Sequence, residues 1–401
     1  KPVVIKKVPD QWFIDYGNVA LTEATKAHCR SMHILPSEFY TNVQGVLDWF
    51  RERACVRQGN WLGTRFPFDP KWIIEAISDS TLYPIYYTIS HYYNTGLLKL
   101  EQMTEEFFDL VFLGKGAVPE VAASTGIDPG LLRRIRDDVQ YFYPLDINLG
   151  GKEHMTVHFP AFLKNHVAIL PPELWPRGIF VNWYVTGKLG KISKSKGGAE
   201  PIPDAEGRFG VDALRLYHAH IAAPFADVEW DESNIENYAS RMERVIRTVD
   251  ELKAFDGIEG TIIDRWLISR MNNRAGAIAD AMNDYDLRRM ANEAYFETLA
   301  DVRWYVRRGG RSAATAARVL SMWIRMMAPI TPHIAEEMWE GIGEKGFVSM
   351  APYPEPMAEQ IDRTADGVDD RRHILELSFK RIRVGIAAHP AATAIDRVEG
   401  E

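Results

Sequence analysis

Between residues 241 and 325 arginines recur at helical spacing: Arg241, Arg244 and Arg247, then Arg265, Arg270 and Arg274, then Arg303, Arg307 and Arg308. The residues between them alternate Leu, Ile, Met, Trp and Ala with a period of about 3.6, which gives one apolar stripe and one charged face. Such a stripe must be buried against another, so this stretch predicts a bundle of long helices from about Asn234 onward. Asp264 is the expected N-cap of one helix, and the Gly309-Gly310 pair its neighbour's stop. Thr331 is placed to cap the helix that carries Ile334, Met338 and Trp339.

The first half has a different pattern. Ile179 to Val185 is β-branched and aromatic, lies between Gly178 and Gly187, and predicts a strand. Segments around Trp72–Ser78, Thr156–His166 and Val211–Ile221 predict helices. Strands alternating with helices imply an α/β layer ahead of the all-α bundle. A chain of 401 residues that is 46% apolar is long enough for two or more domains with a sizeable core. No apolar run approaches the ~20 residues of a membrane span, and no signal peptide is visible. The first residue is Lys1, so polypeptide is expected upstream. Cys29 and Cys55 lie far apart and neither is in a CxxC, which argues against a disulfide framework or a zinc ribbon. A reduced, cytoplasmic setting is the expectation. A net charge of −8 means that any nucleic-acid contact must come from local basic faces.

Three stretches carry chemistry. Lys191-Ile192-Ser193-Lys194-Ser195-Lys196 has three lysines in six residues, with Gly187 and Gly190 before it and Gly197-Gly198 after. A glycine-flanked cationic loop can close over a polyphosphate and stabilise the charge that develops as pyrophosphate leaves. A solvated basic loop is the alternative. The second stretch is Gly150-Gly151-Lys152-Glu153-His154, followed by His158. Glycines ahead of a helix let backbone approach a ligand closely, and the helix start offers free N–H groups. Glu153 can accept from ribose hydroxyls. His154 and His158 stand at i and i+4, on one face of a helix. That spacing also suits zinc, but the zincin order HExxH is absent and no third ligand is evident, so no metal is expected. The third is a pair of aromatic segments, residues 10–17 and 77–87, suited either to a core or to the wall of an apolar pocket.

Lys191-Ile192-Ser193-Lys194-Ser195 resembles the KMSKS loop of class I aminoacyl-tRNA synthetases, and Gly210-Val211-Asp212-Ala213-Leu214-Arg215 resembles the GxDALR helix that follows it. Residues 150–158 resemble the GGxEHxxxH stretch of leucyl-tRNA synthetases. The aromatic segments, Trp61-Leu62-Gly63-Thr64 and residues 104–108 look like the archaeal and eukaryotic cytosolic enzymes of that family. Asp264-Arg265-Trp266-Leu267 and residues 327–337 resemble the anticodon-binding-type bundle of the leucine, isoleucine and valine enzymes. The resemblance is dense from about Asp10 to Met350.

The resemblance implies the second half of a Rossmann-type nucleotide-binding domain (residues 1–185, with a helical insert near 100–145). A lysine-loop region (186–233), a helical bundle (234–350) and a terminal segment (351–401) then follow. It implies ATP-dependent activation of leucine and transfer to tRNA(Leu), with Mg2+ accompanying the nucleotide and no structural metal. By it Lys191, Ser193, Lys194 and Ser195 are catalytic. Gly151, Glu153 and His158, with Lys191 and Lys194, hold ATP. His154, Ser80 and Tyr83 line the leucine pocket, and Arg265, Arg270 and Arg274 meet tRNA. The family's HIGH motif and editing peptide do not occur in these residues, so an N-terminal half is an expected partner. Isoleucyl-, valyl- and methionyl-tRNA synthetases are the near alternatives. A different class is suggested by residues 119–136, which read as a helix-turn-helix with Gly126 at the turn and Arg133, Arg134 and Arg136 on the second helix. A DNA-binding regulator is the reading it offers.

Overall fold

The computed structural model describes residues 8–59, 63–187, 190–191, 202–222, 226–362 and 365, with backbone alone at 190–191. The chain divides into two compact units, residues 1–184 with 224–226, and residues 185–223 with 227–401.

The centre of the first unit is a three-stranded parallel sheet in the order His33–Leu35, Gly178–Asn182, Asn148–Gly151. Ile179 and Val181 of the middle strand are two apart, so they share a face, and both are fully buried. They pack with Phe39, Val43 and Leu47 of helix Ser37–Trp49, and with Phe159, Phe162 and Leu163 of helix His158–Ile169. Each such side chain contributes about 1.5–3 kcal/mol of burial free energy. Gly178 opens the middle strand because a Cβ there would lie 2.8 Å from the Asp146 carbonyl oxygen and 3.0 Å from that of His33. Helices Tyr83–Asn94, Glu105–Leu113, Val118–Thr125 and Pro129–Phe142 enclose a core of their own.

The sequence expectations fare unevenly here. The helix predicted over Trp72–Ser78 is a strand at Ile73–Ile74, paired with Val56–Arg57, and then a helix over Ala76–Ser80. Trp72 and Ile73 are both buried, which an amphipathic helix does not ask of neighbours, and Glu75 caps the helix by accepting from Ile77 N at 2.8 Å. The strand predicted to run from Ile179 to Val185 stops at Asn182 and resumes at Val185–Gly187 in the second unit. The helix-turn-helix pattern is present locally: Gly126 is left-handed at φ 67, and Asp128 caps the next helix from Leu131 N at 2.9 Å. That second helix buries Leu132, Ile135 and Val139 in the insert's own core, and Arg136 donates to the Leu110 carbonyl.

In the second unit Val185–Gly187 pairs antiparallel with Gly190–Lys191 and parallel with Val228–Glu229. The remainder is helical, with long helices Glu232–Lys253, Ile262–Asn283 and Ala313–Met327 around Trp266, Met271, Val302, Trp323 and Met326, all fully buried. Asp264 is not the N-cap. Thr261 caps, and Asp264, three residues in, turns back to accept from Thr261 N at 2.8 Å, while its other oxygen accepts from the Tyr305 hydroxyl at 2.6 Å. The glycine stop is as expected: the helix Thr298–Arg307 ends ahead of Gly309 at φ 87. A Cβ at Gly310 would sit 2.3 Å from the Tyr305 ring. Thr331 stands at the cap position of Pro332–Gly341 but its side chain does not cap; it bonds the Tyr295 hydroxyl instead. The cap is long-range, from Asp212 Oδ2, which accepts from Ile334 N at 2.7 Å. Arg215, one turn on, donates from Nε to the Ile330 carbonyl at 2.7 Å and from Nη2 to that of Pro329 at 3.2 Å.

Candidate active site

The parallel strand Asn148–Gly151 ends in the tightest turn of the site. A Cβ on Gly150 would lie 2.7 Å from the Phe159 ring and 3.3 Å from His154, and one on Gly151 would lie 2.8 Å from the Glu153 carboxylate. At Gly150 the core ring of Phe159 leaves no room for a side chain, whereas at Gly151 the only close neighbour is the mobile end of Glu153, folded back over the strand end. Residues 152–156 form a short 3-10 turn, Val157 breaks the helical run at φ −131, and helix His158–Ile169 begins beyond it. His154 and His158 are therefore not two positions of one helix, as their spacing suggests. They do meet, edge to face, with ring centroids 5.3 Å apart. His154 Nδ1 lies 3.1 Å from Gly151 N and 3.2 Å from the Gly151 carbonyl oxygen, so this nitrogen is engaged by the turn and Nε2 is left facing outward. Burial, and then the neighbouring His154, hold His158 below its ordinary value, which favours the neutral ring. Glu153 is exposed at the turn. At the end of the adjoining strand, Lys152 places its ammonium 5.0 Å from the Trp183 ring centre and 5.9 Å from that of Tyr184.

Behind the turn, the helix His158–Ile169 ties the rest of the unit together. Lys164 is fully buried, and its Nζ lies 2.6 Å from the Tyr16 carbonyl, 2.9 Å from Thr22 Oγ1, 3.0 Å from the Leu47 carbonyl and 3.1 Å from that of Phe50. Desolvation pushes its pKa down to about 8, which still leaves it charged at neutral pH. Asn165 donates to Thr81 Oγ1 at 2.8 Å, bringing the second aromatic segment onto the same helix. Sequence reasoning missed Lys164 and Lys152. A lysine directly after the apolar run 159–163 was the available signal for the first; the second stood within the glycine motif with no role assigned to it.

Ser80 is half-buried and Tyr83 is 41% exposed, its ring 5.1 Å from that of Tyr87. Among the described residues no hydrogen bond or ring contact joins Ser80 or Tyr83 to the histidine pair. Ser193, Lys194 and Ser195 lie outside the described residues, and Lys191 is described as backbone in a strand. The three arginines divide. Arg274 is mostly buried and pairs with Glu293 at 2.6 Å, Asp301 at 2.9 Å and Glu297 at 3.2 Å. Arg270 pairs with the same Asp301 at 3.3 Å. Only Arg265 is exposed, paired with Asp362 at 3.1 Å. The π-turn Asn292–Glu297 supplies Glu293 and Glu297 to Arg274, and Asp301 on the helix that follows serves both Arg274 and Arg270. Cys29 and Cys55 are both free and buried, and burial pushes the Cys29 thiol up to about 12. Among the described residues no group of three His, Cys, Asp or Glu side chains could hold a metal. No helix among them is long and apolar enough to cross a membrane.

The family model described as the anticodon-binding domain of tRNA ligase matches residues 264–384. The match begins in the helix Ile262–Asn283 of the bundle. A leucine–tRNA ligase of Archaeoglobus fulgidus is 40% identical over 92% of this chain and 39% of its own length. One of Methanocaldococcus jannaschii is 38% identical over 94% and 40%. Over nearly all of its length the chain is similar to leucine–tRNA ligases, and it spans about two-fifths of the length of these relatives. A LeuRS of Agrobacterium radiobacter, solved in a ternary complex with tRNA and LeuAMS, is alike in fold, with a TM-score of 0.54 and 20% identity over 75% of this chain and 36% of that one.

Proposed function

We propose that this chain is the part of a leucyl-tRNA synthetase that carries the lysine loop, the adenosine-binding turn and the tRNA-binding bundle. The reaction has two steps. The leucine carboxylate attacks the ATP α-phosphate, forming leucyl-adenylate and releasing pyrophosphate. A 3′-terminal ribose hydroxyl of tRNA(Leu) then takes the leucyl group and releases AMP. The observation that carries this reading is the Gly150–His158 turn at the carboxyl end of a parallel strand. Nucleotides bind at such ends in open parallel sheets, where glycine lets backbone come close.

In this reading residues 1–185 are half of a Rossmann-type domain, with the helices near 100–145 as an insert. Residues 186–233 connect it to a bundle over 234–350, and 351–401 form a terminal segment. Glu153 accepts from the ribose hydroxyls, Gly151 gives the adenosine room, and neutral His158 offers a ring nitrogen without a competing charge. His154, with Nδ1 engaged, presents Nε2 to the leucine side, where Ser80 and Tyr83 complete the wall. Lys191 and Lys194, with Ser193 and Ser195, stabilise the departing pyrophosphate, whose charge Mg2+ shares. No HxGH sequence occurs in the 401 residues, so the histidines that the family brings to the triphosphate come from polypeptide outside them. The compartment is the cytoplasm.

The test is leucine-dependent ATP–pyrophosphate exchange by the natural full-length protein. Lys194→Ala should slow it by ~2–4 kcal/mol in barrier, the cost of removing one preorganised donor, with little change in ATP affinity. An unchanged exchange rate, or exchange dependent on isoleucine or valine instead, would sink the assignment. The dense pairing of Arg270 and Arg274 leaves Arg265 as the one of the three arginines kept for tRNA contact.

A further inference from the structure

The second unit holds a stack of aromatic and basic side chains with no assigned role. Helix Val211–Ile221 supplies His220, helix Glu232–Lys253 supplies Tyr238 and Arg241, and the π-turn supplies Phe296. His220 and Phe296 stack at 4.3 Å between ring centres with 22° between their planes, and the Arg241 guanidinium lies 4.2 Å from the Phe296 centre. The Tyr238 hydroxyl meets His220 Nδ1 at 2.7 Å. Helix Leu287–Ala291 packs against Val211–Ile221 and carries Arg288, which is exposed. Among the described residues no carboxylate or carbonyl takes up the guanidinium N–H groups of Arg241 or Arg288. The contrast with Arg270 and Arg274 is chemical: those two are neutralised by Glu293, Glu297 and Asp301, whereas this cluster is not.

The geometry points to an anion site, in which Arg241 and Arg288 take the phosphate oxygens of an RNA backbone beside the His220–Phe296 stack. Planar guanidinium groups match phosphate geometry, and a guanidinium held flat on a ring has already lost the freedom that binding would cost it. The charged and titratable groups facing the cluster agree in sign. Burial lowers His220, and Arg288 and then Arg241 lower it further; the same two arginines pull Tyr238 down against burial. Arg241 itself is lowered by burial and by Arg244. An incoming anion would offset the part of these effects that comes from the neighbouring arginines. The source expected is tRNA, which rests on the reading proposed above; the site's chemistry is that of any phosphate.

The experiment follows the His220 imidazole by NMR in the full chain, with the signal assigned through His220→Asn. The titration is run alone, with a tRNA(Leu) transcript, and with inorganic phosphate against chloride at equal ionic strength. The expected result is a rise in the apparent pKa of His220 with tRNA, lost in Arg241→Gln. Filter binding should show tRNA affinity falling severalfold in Arg241→Gln and in Arg288→Gln, with the salt slope smaller by about one for each lost contact. Arg241→Lys, which keeps charge and packing but not the planar fork, should fall between, and guards against a folding artefact. If tRNA binds but His220 does not move and the variants bind like the parent, the site is overturned and the synthetase reading stands. If tRNA does not bind while phosphate moves His220, the anion site stands and the tRNA reading falls. If neither ligand moves His220, the site is overturned.

Discussion

At Asp264 two effects oppose each other. Burial raises a carboxyl's pKa, but hydrogen bonds from Thr261 and Tyr305 outweigh it, and the group is held below the ordinary carboxylate range. The sign of its contribution follows. The unfolded chain takes up a proton at higher pH than the folded one, so the stabilisation is present above the unfolded value and is lost as pH falls through the folded one. Tyr305→Phe removes the 2.6 Å bond to Asp264 and the Ser312 N–H donation to the same hydroxyl. It should cost about 1–3 kcal/mol at neutral pH. It should also flatten the acid limb of a stability profile below pH 4, read by chemical denaturation at several pH values. An unchanged acid limb would mean that Thr261 alone sets the Asp264 pKa. Lys164 shows the opposite arrangement, a cation kept charged in the interior by three carbonyls and a hydroxyl. Asp264 owes part of its setting to a local pattern, the capping box with Thr261, but its Tyr305 partner and every partner of Lys164 lie more than thirty residues away.

The helix Ile262–Asn283 shows how one element can serve two masters. Its outer turn presents Arg265 to solvent, and its middle presents Arg270 and Arg274 to the carboxylates of the next helices. Removing a partner from a buried charge network is costly, about 3–5 kcal/mol when the remaining charges stay unpaired. Arg274→Ala should therefore lower the melting temperature of the chain by several degrees. Arg265→Glu should leave melting nearly unchanged and raise the Michaelis constant for tRNA in the full-length protein. Equal destabilisation by both would make Arg265 structural as well. The existence of this helix, and of those at residues 211–221 and 332–341, was legible from apolar periodicity. What was not legible was which polar face meets protein and which meets water, since periodicity is blind to what packs alongside. The caps differ for two reasons: Asp264 sits three residues in, as the reciprocal member of the Thr261 capping box, and Thr331 is claimed by a tertiary partner, Tyr295. At the site, the glycine pair and the histidines were legible because their constraint is local. The break at Val157 was not, and it changes how the two histidines come to face one another.

For the whole molecule, the proposed chemistry needs donors on both sides of a triphosphate held at once. Residues 1–401 alone should therefore show no leucine-dependent ATP–pyrophosphate exchange, even where nucleotide binds at the Gly151 turn. Substantial turnover by these residues alone would remove the need for the HIGH histidines and with it the division of labour proposed here. The second unit carries a different lesson. The stretch at residues 210–215 and the one at 327–337 look in sequence like two separate signatures, yet Asp212 and Arg215 are bonded to Ile334, Ile330 and Pro329 across more than a hundred residues. Two distant stretches joined in this way are expected to be inherited as one unit. A lineage that loses the acid at position 212 leaves a helix start uncapped, and selection then favours a new capping residue near position 331, where the present threonine is already committed to Tyr295. Drift at either stretch should thus be visible as paired change, and neither should wander alone.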